Sequence, residues 1–134
     1  MSEKPHYASI CAQVNAELRV PQVIEFIGWH PERLVKFDDV YLALCPIHGD
    51  KVFRTLVLNP HGNTYQCRHV NCPGNSPSDL IDLVAQAFNE TMPEALARLV
   101  EHFGAEAFGL NEYELEVLEE VLEDVQRKKA QRDE

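Results

Sequence analysis

Two pairs of metal-ligating residue types inside one short stretch restrict the fold of this chain more than any other feature. Residues 45–72 read CPIHGDKVFRTLVLNPHGNTYQCRHVNC. Cys45 and His48 form a Cys-x2-His pair, eighteen residues follow (49–66), and Cys67 and Cys72 form a Cys-x4-Cys pair. Three thiolates and one imidazole suit a tetrahedral structural Zn²⁺, with Zn–S near ~2.3 Å and Zn–N near ~2.0 Å. A filled tetrahedron leaves no position for water or substrate, so such an ion holds the fold and catalyses nothing. Four cysteines in all also permit two disulfides, but no signal-peptide pattern opens the chain and Cys45 has no cysteine partner nearby in sequence. Buried thiols without metal are the other alternative. His69, two residues beyond Cys67, and His61, on the preceding turn, are rivals to Cys72 as fourth ligand, each at the expense of a thiolate.

Charge separates the chain into regions. The net charge is −10, which argues against an indiscriminate nucleic-acid binder. Residues 111–134 hold nine acids (Glu112, Glu114, Glu116, Glu119, Glu120, Glu123, Asp124, Asp133, Glu134) against four bases, so this tail accounts for half of the excess. Between the metal pairs the balance reverses, with Lys51, Arg54 and Arg68 against Asp50. Nothing resembles a transmembrane run or a lipidation signal, and a reducing, cytoplasmic setting suits thiolate ligands.

Hydrophobic spacing supplies the elements. Residues 6–18 place Tyr7, Ile10, Cys11, Val14 and Leu18 on one helical face, with Cys11 read as a packed small hydrophobe. A short helix follows Val20, with Pro21 in its first turn and Gly28 as a left-handed cap. Trp29, His30 and Pro31 then make a turn, and Trp29 reads as a lid on the core. Residues 39–44, 55–58 and 64–67 read as strands, with Asn59–Asn63 turning between the last two. Ser76-Pro77-Ser78-Asp79 predicts a helix start with Ser76 as N-cap, and Thr91-Met92-Pro93-Glu94 predicts another, closed by Gly104. Residues 110–129 form a last amphipathic helix, with Leu110, Tyr113, Val117, Leu118, Val121, Leu122 and Val125 on one face. The expected fold class is α+β: a small antiparallel zinc-ribbon sheet flanked by helices. The expected divisions are an N-terminal helix (1–19), the ribbon domain (20–105) and the acidic C-terminal helix (106–134).

These residues resemble a family. From about Val20 to Gly104 the chain is similar to the N-terminal zinc-binding domain of bacterial and phage-type DNA primases, the Cys-His-Cys-Cys zinc-finger class. The matching pieces run in order: VIEFIG before the ribbon, LCPIH with two ligands, DK just after, NP before the hairpin turn, YQC at the third ligand, SDLIDLV and MPEALARL. There are departures. The family closes its site with Cys-x2-Cys where this chain has Cys-x4-Cys, and its Thr-Pro-Ser after the lysine is replaced by Val52-Phe53-Arg54-Thr55. The glycine-rich run after the last ligand is reduced to Pro73-Gly74, and no acidic cluster for nucleotidyl transfer can be picked out.

The resemblance therefore implies binding without catalysis. In that family the zinc domain contacts single-stranded template, and stacking on aromatics with basic contacts to phosphate is the physical mode. The expected surface here is Lys51, Phe53, Arg54, Tyr65, Arg68 and His69, each of which also has an ordinary reading as core or solvated surface. The expectation is a zinc-binding, single-stranded DNA-binding protein of replication or priming. The alternative is a module that docks on a replication protein (a helicase or polymerase), or on its own copy, through residues 110–129.

Overall fold

A computed structural model of the chain describes residues 7–132, with side chains to residue 130. The parts of the expected terminal segments at 1–6 and 133–134 lie outside the described residues. The fold class is α+β, as expected. Helices α1 (Tyr7–Glu17), α2 (Val20–Ile27), α3 (Leu80–Phe88), α4 (Met92–Phe103) and α5 (Glu112–Arg132) accompany one sheet. Its strands are β1 (Val35–Phe37), β2 (Val40–Ala43), β3 (Leu56–Asn59), β4 (Thr64–Cys67) and β5 (Ser78–Asp79), lying side by side in chain order. Every neighbouring pair is antiparallel. No helix among the described residues is long and apolar enough to cross a membrane.

The chain falls into two compact units, Leu18–Glu90 and the flanking stretches before and after it. This differs from the division expected at residue 105: α4 falls in one unit with α5, against which it packs.

In Leu18–Glu90 the sheet has one inward face. Side chains alternate along a strand, and the register puts Leu56 opposite Cys67 and Leu58 opposite Tyr65, all buried. Against this unit's core lie Leu80, Ile81, Leu83 and Val84 of α3 and Val20, Val23 and Ile24 of α2. Burying each such side chain is worth about 1.5–3 kcal/mol. Gly28 ends α2 at φ 76°, where a side chain would be strained, and its N–H closes on the Ile24 carbonyl. The hairpin between β3 and β4 turns through Asn63 at φ 50°, a conformation asparagine tolerates. The Asn63 amide then donates to the Leu18 carbonyl at 2.6 Å, fixing where the chain enters this unit.

Helix α3 begins later than Ser76-Pro77 predicts. Ser78 and Asp79 pair with Tyr65 and Thr64 as β5, and Asp79 is the N-cap, accepting from the Asp82 N–H. A ladder with β4 satisfies the backbone that the expected first turn would have left open.

In the other unit the helix ends are set by side chains. Thr91 and Glu94 form the expected capping box at the start of α4. Asn111 and Glu114 make a second reciprocal pair before α5, each side chain accepting from the other's backbone N–H. Of the expected stripe on α5, Leu118 is buried and Val117, Val121, Leu122 and Val125 are half-buried, whereas Tyr113 is exposed. Lys129 reaches Glu94 on α4 at 2.7 Å.

Candidate metal centre

The four residues singled out by spacing meet at one end of the sheet. Cys45 follows β2, Cys67 ends β4 on its inward face, and both are fully buried. His48 sits on the turn after Cys45, a turn closed by the Asp50 N–H on the Cys45 carbonyl at 3.0 Å. Cys72 is brought in by its N–H on the His69 carbonyl, also at 3.0 Å.

One donor atom from each of Cys45, His48, Cys67 and Cys72 lies within 4.8 Å of the others, and the group can hold a metal ion. The Cys45 and Cys72 sulfurs are 3.7 Å apart, and the Cys67 sulfur is 3.5 Å from His48 Nδ1. A regular tetrahedron with metal–sulfur bonds near ~2.3 Å has sulfur–sulfur edges of about 3.8 Å, and a shorter edge to nitrogen. These two edges match. A disulfide between Cys45 and Cys72 would need about 2.05 Å, so these thiols are free.

The surroundings supply what anionic sulfur needs. Burial pushes the Cys45 thiol well up, opposed by the His48 and Ile47 N–H groups that bond to its sulfur. Burial also raises Cys72, opposed by the Gly74 N–H at 3.3 Å. The Cys67 thiol donates to the Thr55 hydroxyl oxygen at 3.4 Å, and the hydroxyl can turn its own proton to the sulfur once the thiol is ionised. Thiols raised this way stay protonated until a cation displaces the proton, so metal uptake releases acid. Gly74 also lets the loop approach closely. A Cβ there would stand 2.6 Å from Ile47 Cδ1 and 3.1 Å from Tyr65 Cε2.

The rival histidines are elsewhere. His69 is exposed and stacks on the His48 ring with centroids 4.8 Å apart, accepting from the Asn71 N–H through Nδ1. His61 is exposed on the β3–β4 hairpin, where its N–H bonds to the Asn59 side chain. The wide Cys-x4-Cys loop thus folds His69 over the imidazole that reaches the cluster.

The expected nucleic-acid residues separate. Lys51, Phe53, Arg68 and His69 are exposed, with Phe53 at 70%. They stand on two loops joined by the Arg68 N–H on the Thr55 carbonyl at 2.8 Å. Arg54 is half-buried and its Nε donates to the Arg33 carbonyl at 2.7 Å. Tyr65 does not belong to this surface. It is 2% exposed, its hydroxyl donates to Asp82, and burial with the Asp82 carboxylate beside it raises its ionisation well above the ordinary range. The reason is strand parity: Tyr65 and Cys67 are two apart, so a cysteine facing the core takes the tyrosine with it.

Several residues of the site escaped sequence reasoning. Asp50 lies beside His48, with its Oδ2 3.5 Å from Nε2. The N–H groups of Val52 and Phe53 hold its carboxyl below the usual carboxylate range. Trp29, expected as a lid, donates its indole N–H to the Asp50 carbonyl at 3.0 Å. The open face of the sheet, opposite Leu56 and Leu58, carries Val35 and Phe37, the latter 64% exposed. A cavity of about 330 Å³ on this unit is lined by Val40, Val57, Asn59, Thr64, Tyr65, Gln66, Arg68 and Pro77. The signals available were an acid two residues after a ligand histidine and the alternation Val35-Lys36-Phe37.

No protein-family model matches the chain, and no curated protein or solved structure matches it.

Proposed function

We propose that the ion is Zn²⁺ and that Leu18–Glu90 is a metal-stapled module that binds single-stranded DNA, in a replication or priming role like that of the primase domain it resembles. The closed set of three thiolates and one imidazole favours zinc held for structure, since four protein donors leave no open coordination position. The module contributes binding and positioning, and no step of bond-making is assigned to it.

One observation carries the DNA reading. The donor cluster ties together the two loops on which Lys51, Phe53, Arg68 and His69 stand exposed. An exposed ring suits base stacking, worth about 1–3 kcal/mol per base, and the cations beside it suit phosphate. Phe37 and Arg68 extend the same chemistry toward the open sheet face. Local positive charge on a chain of net −10 favours one strand path over general adhesion.

The test is binding of a short labelled single strand across a salt titration, with zinc bound and after chelation. Lys51→Ala with Arg68→Ala should reduce the salt slope by about 1.4, since each phosphate that a single strand no longer has neutralised lowers it by about 0.7. Arg54→Ala should do less, because that guanidinium is already held by the Arg33 carbonyl. An unchanged slope in the double variant removes this surface. A second reading, docking of a replication protein, is favoured by Val52 and Val70, which are 67% and 80% exposed beside the same loops. It expects no salt-dependent binding to oligonucleotides and loss of the protein complex in Val70→Asp.

A further inference from the structure

The geometry points to Asp50 as the positioning residue of the metal centre: its carboxylate accepts the Nε2–H of His48 and so turns Nδ1 toward the ion. This inference rests on the metal reading above and concerns how one ligand is held.

An imidazole that binds metal through one nitrogen carries its proton on the other, and whatever accepts that proton fixes the ring. His48 Nδ1 faces the Cys67 sulfur at 3.5 Å. Its Nε2 is buried and has no hydrogen bond. The polar atom it faces is Asp50 Oδ2, 3.5 Å away, within ion-pair reach but longer than a good hydrogen bond of about 2.7–3.2 Å. A shift of a few tenths of an ångström closes the pair, and a metal drawing Nδ1 inward sets the tautomer that requires it.

Asp50 is built to hold still. Its Oδ1 accepts from the Val52 and Phe53 N–H groups at 2.9 Å each, which leaves Oδ2 aimed at the imidazole. Its own N–H donates to the Cys45 carbonyl, and its carbonyl takes the Trp29 indole. One residue thereby touches the backbone of a thiolate ligand, the ring of the histidine ligand and the loop that exposes Lys51 and Phe53. His69, stacked on the other side, closes the ring in but offers it no acceptor on Nε2.

The test is a double-mutant cycle on the full chain, read as zinc affinity by competition with a chromophoric chelator. Asp50→Asn keeps an oxygen for the Val52 and Phe53 N–H groups but can turn only an N–H₂ toward His48. Affinity should fall about 10–100-fold. In a His48→Cys background, where no imidazole needs orienting, the same substitution should change affinity by less than about twofold. Unchanged affinity in the native background overturns the inference. So does an equal loss in both backgrounds, which would mean that Asp50 only shapes its loop. Nitrogen-resolved proton spectra of the zinc-loaded chain decide the matter if the cysteine variant takes up no metal. The His48 Nε2 proton should be present and slow to exchange, and fast in Asp50→Asn; a proton on Nδ1 instead overturns it. Failure of the unmutated chain to bind zinc overturns this inference together with the metal reading, and is distinguished by appearing before any substitution is made.

Discussion

Leu18–Glu90 and the helical unit that flanks it in sequence reach order by different means. The first surrounds four donors, drawn together from two distant pairs, with raised thiols, close backbone and a sheet whose longest strands have four residues. Such strands bury one face each, and without a cross-link the entropy of ordering them outweighs that burial. The second has no donor cluster among its described residues. It relies on capped helices, two reciprocal side-chain–backbone boxes and an apolar stripe centred on Leu118. The first unit should therefore be brittle toward metal loss and the second indifferent to it.

Metal removal should separate them most. Chelation, or Cys67→Ser, should abolish amide-exchange protection across β3 and β4, at Leu56, Leu58 and Tyr65. Protection in α4 and α5, at Leu99 and Leu118, should stay. The scale favours a complete effect: a structural ion of this kind contributes about 10–16 kcal/mol at neutral pH, as much as the whole stability of an ordinary domain. Persistence of the β3–β4 protection after chelation would break the comparison, since the sheet would then stand on its own apolar contacts.

A smaller effect is expected from Gly74→Ala. The added methyl meets Ile47 Cδ1, the movable end of a side chain, and also the buried ring of Tyr65. Overpacking of this kind costs about 1–3 kcal/mol. Chemical denaturation of the zinc-loaded chain should show that loss in the sheet and no change in the α4–α5 signal. Equal stability of the variant would mean that the loop has slack, and that the Gly74 N–H is not held against the Cys72 sulfur by packing.

How much of this could be read beforehand depended on whether the signal was local. Cys45, His48, Cys67 and Cys72 announce themselves by residue type and by the short spacing inside each pair, and the Thr91–Glu94 box, the Gly28 cap and the Asn59–Asn63 turn do so because each acts within a few residues of itself. Strand β5 did not, because two residues have no periodicity and pair only once β4 lies beside them. The apparent Ser76 N-cap lost to that tertiary ladder. The compact units divide at Glu90 rather than at the expected residue 105. The pattern of α4 says that one face is apolar, not which neighbour covers it. Tyr65 is the instructive case. Aromatic type suggested a stacking surface, yet its separation from Cys67 already fixed it inward. The Asn111–Glu114 pair was equally visible as an N-cap and an acid three residues on.

The smallest expected effect tests the helical side of the comparison. Lys129 and the Thr91 N–H hold the Glu94 carboxyl at about 2, below its ordinary 4.5. A carboxyl depressed by folding adds stability above its unfolded value and loses it as pH falls through the folded one. The contribution should be whole above about pH 4.5 and gone near pH 2. Lys129 is 47% exposed, so solvent screens the pair and about 0.5 kcal/mol is the expected scale. Glu94→Gln keeps an oxygen for the Thr91 N–H but loses the charge. Exchange protection of α4 and α5 should therefore differ between the two chains at neutral pH and converge on acidification. A gap that widens toward acid would contradict the pairing. Excess zinc sharpens the contrast by mass action: it should move the acid midpoint of the sheet, whose thiols must be deprotonated to bind, and leave the α4–α5 midpoint where it is.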